Sequence, residues 1–132
     1  INYDFHGFHN KQPIWGNDFN EAIINSKMGL NLSRGKPTKH YTSNRIASLL
    51  GNGLLTFVDK KTHLNDFFSK DEIIFYDNID DLSSKIKFYS KNDKLRKKIA
   101  KNGKKKYFRN FDGNKIAKYI IDVSLGKKSI LF

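Results

Sequence analysis

The sequence has no cysteine, which excludes disulfides, thiolate catalysis and cysteine–zinc sites and fits a reducing, cytoplasmic setting. No apolar run approaches the roughly 18 residues of a membrane span, and no signal peptide is legible. No internal repeat or low-complexity linker interrupts the chain. Acidic residues are scarce: 13 Asp and Glu stand against 25 Lys and Arg, a formal net charge of +12. Lysine supplies 21 of the 25 cations. Such an excess favours anionic partners, whether phosphates, nucleic acid or an acidic membrane surface; a solvated, lysine-rich surface accounts for it equally.

What is present argues for a folded domain. With 132 residues, 38% of them hydrophobic and 14% aromatic, the chain can bury one core but not two. It opens at Ile1, without Met and inside an expected strand, so it reads as a piece of something longer.

Periodicity gives the element order. Residues 1–8 (INYDFHGF) alternate polar with apolar and read as a strand. Residues 17–27 carry an Asp18–Glu21 capping box, with Phe19, Ala22 and Ile23 at helical spacing. Residues 28–33 (MGLNLS) read as a buried strand, and 34–44, with Gly35 and Pro37, as a loop. A helix (RIASLLGN), a strand (53–58), a short helix (62–68) and a strand (72–76) follow. The 80–90 helix should turn Ile79, Leu82, Ile86 and Tyr89 to one face, and helices at 93–111 and 114–124 complete the chain. The expected fold class is therefore α/β: a Rossmann-like parallel sheet of about four or more strands, helices on both faces, and a C-terminal helical extension over 93–132. In such sheets ligands bind beyond the carboxyl ends of the strands, here the loops after Phe8, Ser33, Val58 and Tyr76.

The glycines of Gly51-Asn52-Gly53 do not make a dinucleotide fingerprint. That motif needs strand, glycine turn, then helix, so that the helix start faces the pyrophosphate. Here the helix comes first, so the glycines read as a helix C-cap and a tight turn into a strand. The other end of the same helix is different. Thr42, Ser43 and Asn44 are good N-caps following a strand and its loop, and Arg34, Lys36, Lys39 and Arg45 lie within reach. Backbone amides, hydroxyls, dipole and cations together could hold a diphosphate there; an ordinary capped helix with solvated cations is the alternative.

The other motifs carry less. Among His6, His9, His40 and His63 only the first two have ligand spacing, and two residues cannot make a zinc site, so no metal is expected. No nucleophile–His–Asp set is legible. Lys94 to Arg109 holds nine basic residues and no acidic one, with Leu95, Ile99 and Tyr107 on an apolar face. That amphipathic helix could lie on anionic lipid or nucleic acid, or simply be solvated; its aromatics do not interleave with the lysines as a single-strand platform requires.

Residues 14–103 resemble the C-terminal domain of bacterial GT-B-fold glycosyltransferases of the "glycosyl transferases group 1" type. The resemblance is carried in order by Lys27–Asn31, Arg45–Gly53, Asp66–Phe68, Ile73–Tyr76 and Leu82–Tyr89, and the run is about two-thirds of the chain. It implies the nucleotide-sugar-binding half of an enzyme of cell-surface polysaccharide biosynthesis. Such an enzyme transfers a glycosyl group from a nucleoside diphosphate sugar to a glycan or lipid-linked acceptor, without cofactor or metal. It implies a single Rossmann-like domain, 1–132, whose N-terminal GT-B partner supplies the base and acceptor site, so that this piece alone turns nothing over. The donor would meet Asn31, Ser33, Arg34, Tyr41, Thr42, Ser43, Asn44 and Arg45, with Ser48 as a ribose contact. Many retaining members carry E-x7-E, and those positions here hold His40 and Ser48. The expected partners are the nucleotide sugar and an anionic membrane surface reached through Lys94–Lys106, at the cytoplasmic face, with nucleic acid disfavoured. A small basic binding module without activity is the alternative reading.

Overall fold

The computed structural model describes residues 3–7, 10–33 and 35–130. In chain order the elements are α1 (Gly16–Ile24), β1 (Met28–Asn31), α2 (Arg45–Gly51), β2 (Leu55–Asp59), β3 (Ile74–Tyr76), α3 (Ile79–Lys91), α4 (Asp93–Asn110) and α5 (Gly113–Ser124). Two 3-10 turns, Lys60–Thr62 and Leu64–Asp66, replace the single short helix expected at 62–68.

The sheet is parallel, in the order β1-β2-β3, with Leu30 opposite Phe57 and Phe57 opposite Ile74. Three strands occur among the described residues, where four or more are expected from periodicity. The missing one is the opening segment: residues 3–7 form no strand, and Tyr3 is 79% exposed. Alternation alone does not make a strand: residues 3–7 pair with neither outer strand of the sheet, and Gly7 turns back instead, its amide donating to the Gln12 carbonyl at 3.2 Å. Residues 1, 2, 8 and 9, including His9, lie outside the described residues.

Both faces of the sheet are covered, which is why β2 is a continuous apolar run rather than an alternating one. Leu55, Phe57, Ile74 and Tyr76 pack with Leu82, Ile86 and Tyr89 of α3 and with Ile99 and Ala100 of α4. On the opposite face Val58 and Ile73 pack with Ile46 and Leu50 of α2, Leu64 and Phe68. Ile79 does not join this core: at the first turn of α3 it is 74% exposed. In α1 the expected capping box is absent. The cap position is Trp15, without a side-chain bond, and Asn17 instead donates to Glu21 within the helix at 3.0 Å.

α4 crosses beneath the amino ends of all three strands. Arg96 donates to the Lys27 carbonyl, just before β1, at 3.2 Å. Near β3, Asn102 donates to the Asp71 carbonyl at 3.2 Å, and a Cβ on Gly103 would stand 2.3 Å from the Glu72 carbonyl oxygen. One on Gly53, just before β2, would meet the Lys104 stem at 3.5 Å. The buried stripe of α4 is therefore Arg96, Ile99, Ala100 and Gly103, and Leu95 faces outward, 40% exposed. Of the apolar face expected from Leu95, Ile99 and Tyr107, Ile99 is buried and Tyr107 packs against the core, and Leu95 alone of the three turns out. Arg96 is tolerated inside because its stem packs while its guanidinium reaches the Lys27 carbonyl and the Asp93 carboxylate. Lys97 and Arg96 together hold the Asp93 carboxyl down to about 2.

The Gly-Asn-Gly stretch is the helix end read from its order. Gly53 has φ +76, its amide donates to the Leu50 carbonyl at 2.9 Å, and the Leu54 amide reaches back to Leu49 at 3.0 Å. These two bonds form a Schellman closure, which needs a left-handed residue at Gly53 alone. Gly53→Ala should therefore destabilise by about 1 kcal/mol. Gly51→Ala, with open space around its Cβ, should stabilise by about 0.5 kcal/mol. Urea denaturation of the two variants measures the contrast, and equal effects would contradict this assignment of the turn.

Candidate functional site

The carboxyl edge of the sheet is where the loops can present side chains to a ligand, and its most organised part follows β1. Asn31, the last residue of that strand, is only 2% exposed although polar. Its Nδ2 donates to the Thr42 hydroxyl at 3.2 Å, and the Ser43 hydroxyl donates to its Oδ1 over a long 3.5 Å. The carboxamide thus ties the end of β1 to the start of α2 across a loop of more than ten residues.

Ser43 in turn accepts the Arg45 amide at 3.3 Å and so does the capping, while Asn44, at the formal cap position, makes no side-chain cap. The Arg45 guanidinium donates through Nη1 to the Leu32 carbonyl at 3.0 Å, which uses one of its five donors and leaves the exposed head turned along the loop after β1. Thr42, Ser43 and Arg45 therefore form one shelf with Asn31 beneath it.

Other expected residues sit less simply. The Tyr41 amide donates to the Thr38 carbonyl at 3.1 Å. The amides of Thr42, Ser43 and Asn44 have no hydrogen-bond partner among the described residues. Ser33 is half-buried two residues beyond β1, and Arg34 lies outside the described residues. Ser48 points its hydroxyl back at the Asn44 carbonyl, 3.5 Å away, within α2.

His40 occupies a place that sequence spacing could not supply. It holds a left-handed backbone, φ +60, its amide donates to the Thr62 carbonyl at 2.7 Å, and its Nε2 lies 2.7 Å from the Asp66 carboxylate. Its ring meets the edge of Phe67 at 4.9 Å. The hydrogen bond from His40 is the main cause that lowers the Asp66 carboxyl below its usual range. The loop after β1 is thereby fastened to the 3-10 turns after β2. Asp66 is 26 residues away in sequence, so only the fold brings this pair together.

The rest of the carboxyl edge is closed by its own charges. Lys60 pairs with Asp77 at 3.1 Å across the ends of β2 and β3. α3 is capped by Asn78 and carries Asp80 and Asp81 in its first turn, and Lys85 joins the Asp81 carboxylate and the Phe75 carbonyl, each at 2.7 Å. Burial, and then the nearby Asp59, push the Tyr76 hydroxyl above its ordinary value. Acidic residues at the start of α3 repel an anion there; α2 has none in its first turn.

Two surface depressions of about 360 and 760 Å³ lie along α4, and no shelf residue lines either. Among the described residues no group of three or more His, Cys, Asp or Glu could hold a metal ion, and no helix is long and apolar enough to cross a membrane.

Residues 2–122 match the model of a protein family described as glycosyl transferase-like. No curated protein and no solved structure matches the chain. The family match takes in the parallel sheet, the shelf at its carboxyl edge and the helix that closes its amino edge, and the chain belongs to the glycosyl transferase-like family.

Proposed function

We propose that this chain is the donor-binding, C-terminal domain of a bacterial GT-B glycosyltransferase. It would hold a nucleoside diphosphate sugar for transfer to a cell-surface glycan or lipid-linked acceptor on the cytoplasmic side. The family match supports glycosyl transfer in general. The observation that carries the donor reading is the contrast between the two helix starts on the carboxyl edge. That of α3 is acidic and self-capped; that of α2 has Arg45, two hydroxyls held by Asn31 and no acid.

In this reading the diphosphate lies over Thr42–Asn44 and Arg45. Transfer breaks the bond between the sugar and the distal phosphate oxygen, and negative charge grows on the leaving diphosphate. Arg45, with Lys36, Lys39 and the amides, stabilises that charge without a metal. Arg34 and Ser33 contribute from the same loop. Ser48 is the ribose contact, weaker than a carboxylate would be. The base and acceptor site belong to the N-terminal domain.

The test is a two-dimensional NMR titration of the chain with nucleoside diphosphates. Shifts should concentrate at residues 31–48, and Arg45→Ala should weaken binding about tenfold, the worth of a charge-assisted phosphate contact. If nothing in that segment moves at millimolar nucleotide, the donor reading fails.

A further inference from the structure

The outward face of α4 is independent of the donor shelf and has a composition of its own. Opposite the buried stripe of Arg96, Ile99, Ala100 and Gly103 run Lys94, Lys98, Lys101 and Lys105, all exposed, at spacings of four and three residues. Phe108 continues the same line, 52% exposed, with the Lys104 ammonium 6.0 Å from its ring centre. At 1.5 Å per residue the line is straight and about 21 Å long. The one acid on the helix, Asp93, is already engaged by Arg96 and Lys97, and off the helix Asp71 and Glu72 share the 360 Å³ depression with Lys105 at the far end of the row. At its start, exposed Leu95 shares the 760 Å³ depression with Lys91, Lys94 and Lys98.

From this arrangement we infer that α4 is a docking surface for an anionic lipid bilayer, with the lysines at the headgroups and Phe108 entering the interface. Charge complementarity selects an anionic partner, and Phe108 selects lipid over duplex nucleic acid. A duplex backbone would gain nothing from an exposed Phe, whereas a membrane interface takes it. Lysine, a point charge without a fork, suits a fluid array of headgroups and reads no base edge. Four lysines add to affinity without any shaped pocket, each giving about fivefold at an anionic surface.

The position of α4 matters as much as its charge. It lies under the amino ends of the strands, and the Asn31–Arg45 shelf lies at their carboxyl ends. A docked bilayer leaves the shelf open to solvent, so a soluble anionic donor and a membrane can be held at once.

The test is co-sedimentation of the chain with vesicles of phosphatidylcholine containing about one-third phosphatidylglycerol, at low salt. Binding is expected there and not to pure phosphatidylcholine, and it should collapse between about 0.1 and 1 M salt as screening shortens from ~10 to ~3 Å. Changing Lys94, Lys98, Lys101 and Lys105 together to Gln should lower partitioning several hundred-fold. Phe108→Ser should lower it about tenfold while leaving binding of a short nucleic-acid duplex unchanged. All five side chains are exposed, and unchanged thermal melting confirms that each variant is folded. Equal binding to neutral vesicles overturns the proposal, as does a quadruple variant that still partitions. So does a duplex bound more tightly than the vesicles with no response of vesicle binding to Phe108→Ser.

Discussion

Gly103→Ala is expected to lower the unfolding free energy by about 2 to 3 kcal/mol, against the roughly 1 kcal/mol gain that alanine brings inside a helix. Gly103 sits in the middle of α4, where propensity disfavours it, and the reason is contact. An added Cβ would stand 2.3 Å from the Glu72 carbonyl oxygen and 3.1 Å from Leu50 Cδ2. A side-chain tip can rotate away, but a backbone oxygen at the start of β3 cannot, so either α4 lifts from the sheet edge or the strand shifts. Leu50→Ala, at a fully buried position, costs about 2–5 kcal/mol alone. Because it leaves the carbonyl in place, the double variant should be additive to within about 0.5 kcal/mol. Urea denaturation of the four proteins decides the matter: strong rescue by Leu50→Ala would mean that the leucine, not the backbone, is the obstacle.

Phe57→Ala should be the more severe, with a loss of about 3–5 kcal/mol. Phe57 is 1% exposed at the centre of β2, paired with Leu30 on one side and Ile74 on the other. Its ring meets Tyr89 of α3 edge-on at 6.3 Å, so one side chain joins all three strands to the helix above them. Against a total stability of about 5–15 kcal/mol, that loss should lower the melting temperature by roughly 12–20 °C. Phe57→Leu, which keeps most of the volume, should cost about 1–2 kcal/mol. Calorimetry of both reads the ratio. A loss below 1 kcal/mol for the alanine variant would mean that this face of the sheet is not close-packed around Phe57.

Element order was legible because each strand after residue 27 is a short apolar run bounded by turn residues, and because glycine order distinguishes a helix end from a phosphate loop. What sequence could not give were the faces. Hydropathy excludes arginine from a buried stripe, so the sequence puts Leu95 with Ile99 and Tyr107 on the inner face, whereas Arg96 turns inward to the Lys27 carbonyl, 69 residues away. Ile79 counted as core because it continues a helical spacing, yet it lies where α3 has only begun to cover the sheet. Residues 3–7 alternate like a strand but pair with none of β1, β2 and β3. At the shelf, Thr42, Ser43 and Arg45 are near neighbours in sequence, and Asn31 precedes them by one loop. Asp66, which fixes His40, was invisible for the opposite reason: its partner is 26 residues away and nothing local marks it.

The path of α4 also orders the events of folding. β1, β2 and β3 are neighbours in both sequence and space, so the sheet can assemble from nearby segments as they leave the ribosome. The amino edge can be closed only when residues 96 to 104 have been made, since the contacts to Lys27, Gly53 and Glu72 come from there. The lysine-rich helix is therefore the segment whose synthesis completes the contacts at the amino ends of all three strands.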